Sequence, residues 1–539
     1  MKYLTKLLMV LLLSACSATL TVTPDPDYVP PQVDPPVVTP PPVEEPPVVE
    51  EPPVVTPPEE PPVIEEPPVV TPPEEPPVIE EPPVLPTGDT IGVPYTQEQL
   101  DQGRPTPIPW ASWMNPPTPT GTITYVCTTG DDLNDGLSEE TPLATPEAAF
   151  AKWRNMQGGD ALLFCRDGYW QVPVHIKLGS NSCSIDSQCL VGSYGSGDDP
   201  WIKIPNGFEF EGGATNPVDG IYWMDLHIEG FGEGAGGDGW RIWDNVSDMV
   251  WNNVLTEWFG LAYNFSPGRM DDGFINSNFA ILHSSQKHNR KSGAIFSGVS
   301  DFFVDYNYAE DNGSGGGARN YYYGGQNTGI TTNMVLQRSV SRLNSLTVDG
   351  VCGNSPHFTA HGIINGLTLI DNDFQEPFGT SANGCWGYAI DEGRTLEWGV
   401  EGFYDVVVTG NIGLNLGNTV VSITNSPDIL IGWNHLQGDY GERRGGIVLA
   451  IPGKASFDVA NPTVRPRIIY NKIVLKGYYP ASTNANKSVG IQIGGAVTGE
   501  VIEHNEIIKT IPEQRCIVVH GVTLEGGALG TNTCTVSTE

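Results

Sequence analysis

The amino-acid sequence predicts an all-β fold, a parallel β-helix solenoid, over residues 90–539. Beyond residue 240 the chain repeats one pattern, in which two or three apolar residues precede a polar residue, an Asn and another short apolar run. Most units follow one another at 23 to 39 residues, and no helical pattern separates them. Short units with insertions of irregular length are typical of a solenoid, and units built from strands alone favour a β-helix.

The first residues predict an exported protein with a lipid anchor. Lys2 and Lys6 precede an apolar run over residues 7–13, which is too short to span a bilayer but fits the core of a signal peptide. The run ends in Leu-Ser-Ala-Cys, so residues 1–16 resemble a bacterial lipoprotein signal in which Cys16 carries the lipid. Because Ser17 rather than Asp follows, the resemblance implies an outer-membrane or cell-surface location, with the membrane as a partner.

Residues 17–89 predict a disordered, Pro-rich linker. Residues 24–89 contain 16 acidic residues and no basic residue, and 26 of the 48 prolines lie in residues 24–86. The string PPVVTPPEEPPVIEE over residues 52–66 is repeated without change over residues 67–81. Such a segment favours an extended polyproline conformation and acts as a spacer, a passive linker or a ligand of a proline-recognition module.

The charge of the chain excludes one class of partner. The whole sequence has 27 Lys and Arg against 64 Asp and Glu, which gives a formal net charge of -37. The part from residue 90 onward is still acidic, with 25 basic and 48 acidic residues. Nucleic-acid binding requires clustered cations, so we expect no nucleic-acid partner.

The start of the body contains the first structural elements. Residues 123–127 form a predicted strand, residues 130–136 a polar loop, and Thr145 caps a helix that begins with Pro146 and extends to about Met156. Residues 161–165 form a second strand. If the two strands stack in parallel, Cys127 and Cys165 lie side by side.

Eight cysteines remain after Cys16, and an even number in an exported protein predicts disulfide bonds. Many pairings of eight cysteines are possible, and their order along the chain suggests one set. The cysteines do not have the spacing that is typical of zinc ligands. The suggested pairs are Cys127 with Cys165, Cys183 with Cys189, Cys352 with Cys385, and Cys516 with Cys534.

The Asn residues of the repeat are predicted to stack as a hydrogen-bonded ladder. They are Asn253, Asn278, Asn307, Asn372, Asn411, Asn434, Asn471 and Asn505, with Ser339 in the Asn place of the coil between Asn307 and Asn372. With the opening strand, loop, helix and strand, this pattern resembles the right-handed parallel β-helix superfamily typified by pectate lyases. That superfamily includes polysaccharide lyases, polygalacturonases, epimerases, phage tailspikes and noncatalytic surface proteins, so the resemblance implies a fold and a polysaccharide partner.

The resemblance also implies a site on one sheet and its adjoining loops. Strands of that sheet are predicted at residues 293–298, 320–325, 357–362, 387–393, 446–451 and 516–521. If Phe358 and Ala360 point inward, then His357 and His361 point outward. His361 then lies beside Asp391 of the next coil, and a His assisted by a carboxylate is a candidate general base.

Cations at the edge of the same sheet predict an acidic sugar as substrate. Lys291, Arg319 and His357 begin three successive coils, and Lys287 and Arg290 belong to the basic stretch QKHNRK over residues 286–291. Cations would offset a uronate carboxylate during proton abstraction. Tyr322 offers a stacking surface and Glu392 a further polar contact. The alternatives are an ordinary solvated loop and a structural pair of His361 with Asp391.

The metal requirement stays open in the sequence. Asp131, Asp132, Asn134 and Asp135 could hold Ca²⁺, but their spacing differs from that of an EF-hand, and a polar turn is the alternative. No other cofactor is expected.

The leading hypothesis is a monomeric, surface-tethered lyase of an acidic polysaccharide. A glycoside hydrolase would use Asp391 with Glu392 or Asp272 across the scissile bond. The alternative from another class is a noncatalytic glycan-binding or adhesin-type lipoprotein, because a fold does not determine a function.

Overall fold

The computed structural model describes residues 91–213, 215–232, 236–265, 276–313, 319–324, 330–344, 355–377, 386–390, 402–417, 419–424, 426–439, 446–449, 463–476, 488–494 and 497–537. Within them the chain is a parallel β-helix, which confirms the fold predicted from the sequence. Every pairing between its named strands is parallel except that of the last two strands of one sheet. Residues 1–16, the whole of the predicted linker (residues 17–89) and Cys352, Cys385, Asp272, Asp391 and Glu392 lie outside the described residues.

The described residues contain thirty-seven strands. The first are β1 (Ile123–Val126), β2 (Ala161–Cys165), β3 (Tyr169–Gln171), β4 (Ile176–Leu178), β5 (Cys189–Tyr194), β6 (Trp201–Lys203), β7 (Phe208–Phe210), β8 (Ile221–Glu229), β9 (Asp238–Ile242), β10 (Ser247–Glu257) and β11 (Leu261–Phe265). The central coils contain β12 (Asn276–Leu282), β13 (Ser285–Lys287), β14 (Ser292–Ser297), β15 (Val299–Asp305), β16 (Tyr308–Glu310), β17 (Tyr321–Gly324), β18 (Ile330–Gln337), β19 (Val340–Arg342), β20 (Pro356–His361), β21 (Ile363–Ile370), β22 (Asp373–Gln375) and β23 (Trp386–Ile390). The last are β24 (Gly402–Thr409), β25 (Ile412–Leu416), β26 (Val421–Ile423), β27 (Leu430–Gly432), β28 (His435–Asp439), β29 (Ile447–Leu449), β30 (Arg467–Ile469), β31 (Lys472–Lys476), β32 (Val489–Ile493), β33 (Val501–Glu503), β34 (Glu506–Lys509), β35 (Arg515–Val519), β36 (Val522–Leu524) and β37 (Thr533–Val536).

Each regular coil contributes one strand to each of three faces. The first face contains β12, β15, β18, β21 and β24, and the second contains β13, β16, β19, β22 and β25. These two faces form one continuous 24-stranded sheet, because the long strands β8 and β10 run through both. The third face is a separate 13-stranded sheet that contains β14, β17, β20, β23 and β26.

The interior is filled by apolar side chains that stack from coil to coil. Trp223, Trp240, Trp251, Phe279 and Phe302 are fully buried in one continuous core. Their rings pack at centroid distances of 4.8 to 6.4 Å, for instance Trp223 on Trp240 and Trp251 on Phe279. Burial of such large apolar surfaces supplies most of the stabilisation of a solenoid.

A ladder of Asn side chains lies inside the turn between the first and second faces. Its members are Asn307, Asn372, Asn411, Asn434, Asn471, Asn505 and Asn532, with Ser284 and Ser339 in the Asn place of two coils. Asn253 and Asn278, which were predicted as members, are not part of it. Both have left-handed backbone conformations with φ near 55° and 59° and bond to Asp225 and Asp248.

A short helix covers the N-terminal end of the core. Helix α1 is Gln97–Asp101, and α2 is Pro146–Phe150 with Thr145 as its N-cap; a 3₁₀ turn, Trp153–Asn155, follows. Helix α2 is thus shorter than predicted, and the 3₁₀ turn that follows it places Trp153 on Trp223 at 6.1 Å. Disulfide bonds join Cys127 to Cys165, Cys183 to Cys189 and Cys516 to Cys534, which are three of the four suggested pairs.

Residues 91–118, called the strap, run along the outside of the first face. Val93 donates to Gly410 O at 2.8 Å, Ile108 donates to Gln337 Oε1 at 2.9 Å, and Tyr222 Oη donates to Met114 O at 3.0 Å. The strap therefore crosses the coils in the direction opposite to their order in the chain. Among the described residues, no helix has the length and hydropathy needed to cross a membrane.

Candidate functional site on the third face

The third face has the side-chain alternation that the sequence predicts. Tyr321 pairs with Phe358 and Phe358 with Tyr388, and all three side chains are buried in the core. Tyr322 pairs with Thr359, and Thr359 with Ala389, one position further along each strand. Because side chains alternate along a strand, this second row points to the outside of the sheet.

Arg319 lies at the beginning of this outer row. Its Nε donates to Thr359 Oγ1 at 3.1 Å, and its guanidinium carbon lies 5.2 Å from the centre of the Tyr322 ring. Its backbone N donates to Ser292 Oγ of the preceding coil at 3.2 Å. These contacts place the positive charge over the face of the ring, an arrangement favoured by the ring quadrupole.

His361 also lies close to the ring of Tyr322. The centroids of Tyr322 and His361 are 5.6 Å apart, and His361 is 5% exposed. His361 pairs in register with Gly324, where a Cβ would lie 2.6 Å from Tyr322 Cε1. The absence of a side chain at Gly324 therefore gives the Tyr322 ring the room that it occupies near Arg319 and His361.

The predicted partner of His361 cannot be placed. Ala360 of β20 pairs with Ile390 of β23. The prediction that His361 lies beside Asp391 depends on this register. Asp391 and Glu392 themselves lie outside the described residues. The pairing of a general base with a carboxylate therefore remains a prediction.

The prediction that His357 faces solvent is wrong. Its side chain is fully buried, with Nδ1 2.7 Å from Ser341 Oγ and Nε2 2.9 Å from Glu376 Oε1, and its ring stacks on Phe374. His357 is the second residue of β20, and its ring is directed towards Ser341, Phe374 and Glu376 instead of outward. It belongs to a buried polar network and not to the outer surface of the sheet.

The basic stretch QKHNRK is divided between faces. Lys287 lies at the end of β13 on the second face, 3.8 Å from Glu310 and 5.2 Å from the centre of the Tyr308 ring. The prediction that it joins the other cations at the third face is therefore wrong. Its side chain is directed away from that sheet because Gln286 and Asn289, its neighbours, take the inward positions.

Arg290 and Lys291 lie at the edge of the third face, directly before β14, and both are exposed. The Lys291 backbone N donates to Gly260 O at 2.8 Å. Burial raises the pKa of the nearby Asp238 carboxyl, while Asn264, Arg241 and the charge of Lys291 act to lower it. Lys291 thus interacts electrostatically with the Asp238 carboxylate and also lies near the predicted site.

The polar residues considered for calcium serve the turn before α2. Asp132 accepts hydrogen bonds from Ala144 N, Thr145 N and Thr145 Oγ1, and these bonds hold the pKa of its carboxyl below its usual value against the effect of burial. Asp131 and Asp135 accept from backbone N atoms two residues later. In the described part of the chain, no group of three or more His, Cys, Asp or Glu side chains has an arrangement suited to a metal ion.

The sequence reasoning missed the strap and its contacts. Trp110 Nε1 donates to Asp305 Oδ2 at 2.6 Å, and its ring packs edge-on against His283 at 5.3 Å. Trp113 and Met114 pack against apolar side chains on the outside of the first face. Two Trp and one Met within five positions, outside any strand pattern, are the signal in the sequence that this segment is docked.

No family model matches this chain, and no curated protein matches it. Solved structures with a similar arrangement include the Dettilon tailspike protein gp208 (12% identity, 74% of this chain and 68% of that one, TM-score 0.42). Another is the catalytic domain of a GH87 alpha-1,3-glucanase in complex with nigerose (12% identity, 80% of this chain and 70% of that one, TM-score 0.38). A third is the A-module of the Azotobacter vinelandii mannuronan C-5 epimerase AlgE6 (11% identity, 73% of this chain and 93% of that one, TM-score 0.35). The assignment of the fold rests on the strand registers of this chain.

Proposed function

We propose that this protein is a surface-tethered, carbohydrate-active enzyme that cleaves an acidic polysaccharide by β-elimination. The observation that supports the proposal is the cluster of Arg319, Tyr322 and His361 on the outside of the third face. A cation, an aromatic ring and a titratable imidazole within two neighbouring coils are the groups that this reaction needs.

In the proposed reaction the uronate carboxylate faces Arg319, and His361 removes the proton from the carbon next to that carboxylate. The electron pair of the broken C–H bond forms the C4–C5 double bond while the C4–O glycosidic bond breaks, and the leaving oxygen takes up a proton. Arg319 stabilises the negative charge that develops on the carboxylate. The Tyr322 ring contacts both the cation and the base, and Lys291 adds positive charge at the edge.

In this proposal Asp391 orients His361 and stabilises the protonated form of its imidazole. Cys16 carries the lipid that anchors the protein at the outer membrane or cell surface. The acidic, Pro-rich residues 17–89 would then hold the β-helix away from the membrane, where a polymeric substrate has access.

A noncatalytic glycan-binding protein is the second candidate function. It is favoured by the aromatic side chains that the strap places on the first face, because Trp113 lies beside a cavity there. The carboxylates that a glycoside hydrolase would use, Asp272, Asp391 and Glu392, lie outside the described residues, so the structure adds no support for that activity.

The test is an assay for unsaturated uronates. The purified full chain is incubated with polygalacturonate, alginate or chondroitin sulfate, with and without Ca²⁺, and the ultraviolet absorbance of the new double bond is followed. His361→Ala should lower the rate by about 100-fold or more, the usual contribution of a general base. His520→Ala is the control, because His520 is an exposed histidine near the end of the β-helix.

Arg319→Ala and Arg319→Lys separate charge from geometry. We expect the Ala variant to lose most activity and the Lys variant to retain part of it. Full activity in both His361→Ala and Arg319→Ala would exclude this site. The absence of any double bond and of any new reducing end, with binding retained, would favour the noncatalytic alternative.

A further inference from the structure

A cavity of about 390 Å³ lies between the strap and the first face. Its size falls within the range of about 300 to 1,000 Å³ that is usual for small-molecule sites. It extends over four successive coils and is lined from the strap by Ile108, Trp113 and Met114. It lies on a different sheet from the cluster of Arg319, Tyr322 and His361.

The floor of the cavity is apolar. Phe303 and Val335 point outward from β15 and β18, are 5% and 7% exposed, and pack in one cluster with Met114 of the strap. Trp113 is partly exposed at the wall. An indole ring and aliphatic groups at the same cavity favour a ligand that has an apolar face.

The rim is a row of polar residues with left-handed backbone conformation. Asn278, Asp301 and Asn333 occupy equivalent places on three successive coils, with φ of 59°, 53° and 54°. Asn333 Nδ2 donates to Asp301 Oδ1 at 2.6 Å, and Asn278 Nδ2 donates to Asp248 Oδ1 at 2.8 Å. Within the described part of the chain, the remaining side-chain oxygens of these three residues accept no hydrogen bond from the protein.

Gly366 occupies the same place on the next coil, with φ of 85°. A Cβ there would lie 3.2 Å from Asn333 Oδ1, so any side chain would extend over the end of the rim. The row continues with Asp405 on the following coil, which does not line the cavity. The interruption at Gly366 thus leaves one end of the cavity open.

We propose that this cavity binds a neutral saccharide unit. Its hydroxyl groups would donate to the free oxygens of Asn278, Asp301 and Asn333, and the apolar face of its ring would pack on Trp113. Equivalent oxygens repeat every ~4.8 Å along the coils, a spacing that suits hydroxyl groups on adjoining parts of one glycan. The described residues that line the cavity include no Lys or Arg, and the Asp301 carboxylate disfavours a uronate.

This proposal is independent of the proposed lyase. It needs none of the residues of the third face, and the two sites select glycans of different charge. Loss of binding in this cavity would leave β-elimination on short acidic oligosaccharides unchanged. Loss of activity in His361→Ala would leave binding of a neutral glycan unchanged.

The test is isothermal titration calorimetry of the full chain with cellotetraose, maltotetraose, laminaritetraose and tetragalacturonate. We expect at least one neutral tetrasaccharide to bind and tetragalacturonate not to compete for the same site. Asp301→Asn should weaken that binding by about 10-fold, the loss expected for one hydrogen bond to a charged acceptor. Asp405→Asn is the matched control, because it makes the same change in the same row outside the cavity.

Gly366→Asn tests the cavity without removing a contact. Asn is tolerated in left-handed conformation, so the fold is retained while the side chain fills the open end. Binding should be lost in Gly366→Asn and in Trp113→Ala, with circular dichroism as a check that both are folded. Unchanged binding in folded Gly366→Asn, or no binding of any neutral tetrasaccharide to the wild-type chain, would overturn the proposal.

Discussion

Arg104 and Asp371 lie 267 positions apart in the sequence and form a buried ion pair, with 2.8 Å between Arg104 Nη2 and Asp371 Oδ1. The side chains are 0% and 2% exposed. Arg104 also donates to the backbone oxygens of Val93 and Pro94, and Tyr95 Oη donates to the Asp371 carboxylate. This pair therefore joins the strap to the outside of the β-helix.

We expect Arg104→Ala to destabilise the protein by about 3 to 5 kcal/mol, because the substitution leaves a buried carboxylate without its partner. The free energy of unfolding in urea measures the effect. Limited proteolysis near residue 104 would show whether the strap detaches first.

The control for this prediction is Arg465→Ala. Arg465 forms an equally close pair with Asp428, but the two side chains are 65% and 56% exposed. Water and salt screen such a pair, so its loss should have little measurable effect. Equal destabilisation by the two substitutions would contradict the role given to burial.

The second prediction concerns the pH dependence of the strap. Burial raises the pKa of the Asp371 carboxyl from 3.8 to about 6, although the hydrogen bonds from Tyr95 and the charge of Arg104 oppose this rise. Folding therefore takes up a proton between these pH values. The stability that Asp371 contributes is present below pH 3.8 and is lost as the pH rises through about 6.

Asp371→Asn removes this titration. The difference in stability between the variant and the wild type should shift in favour of the variant as the pH is raised from about 4 to about 7. Thermal unfolding at four pH values in this range measures it. A difference that stays constant with pH would show that Asp371 has the same pKa in the folded and unfolded states.

The third prediction concerns the Asn ladder. Asn411 Nδ2 donates to Leu369 O and Asn434 Oδ1, and its Oδ1 accepts from both nitrogens of Asn372. Asn411→Ala leaves buried donors and acceptors without partners and should cost about 2 to 3 kcal/mol. Asn365→Ala on the exposed side of β21 is the control and should change the free energy of unfolding by less than about 0.5 kcal/mol.

The fourth prediction separates two histidines that are four positions apart. His357→Ala should lower stability by about 3 to 5 kcal/mol, because Glu376 stays buried after its partner is removed. His361→Ala also removes a buried ring, which contacts Tyr322, but should destabilise the protein less than His357→Ala and abolish the proposed activity. Measurement of both properties in both variants checks the assignment, and the reverse pattern would contradict it.

The regular part of the fold could be predicted because its stabilising contacts repeat. From Ser284 onward the coils place an Asn or Ser in the same interior turn, so residues such as Asn372, Asn411 and Asn434 mark successive coils in the sequence. The inward positions of Phe358 and Ala360 were predicted for the same reason, since alternation along a strand is a local property. The sequence by itself therefore determined the coils, their order and the outer row that contains Tyr322 and His361.

Only the tertiary structure decided where the chain bends and what docks on its surface. His357 is the second residue of β20 and Lys287 the last of β13, and contacts with Glu376 and Glu310, not alternation alone, fix the directions of their side chains. Asn253 and Asn278 have the residue type of the ladder but occupy left-handed positions outside it. The contact of Arg104 with Asp371 occurs once and joins distant segments, so no repeating pattern in the sequence could reveal it.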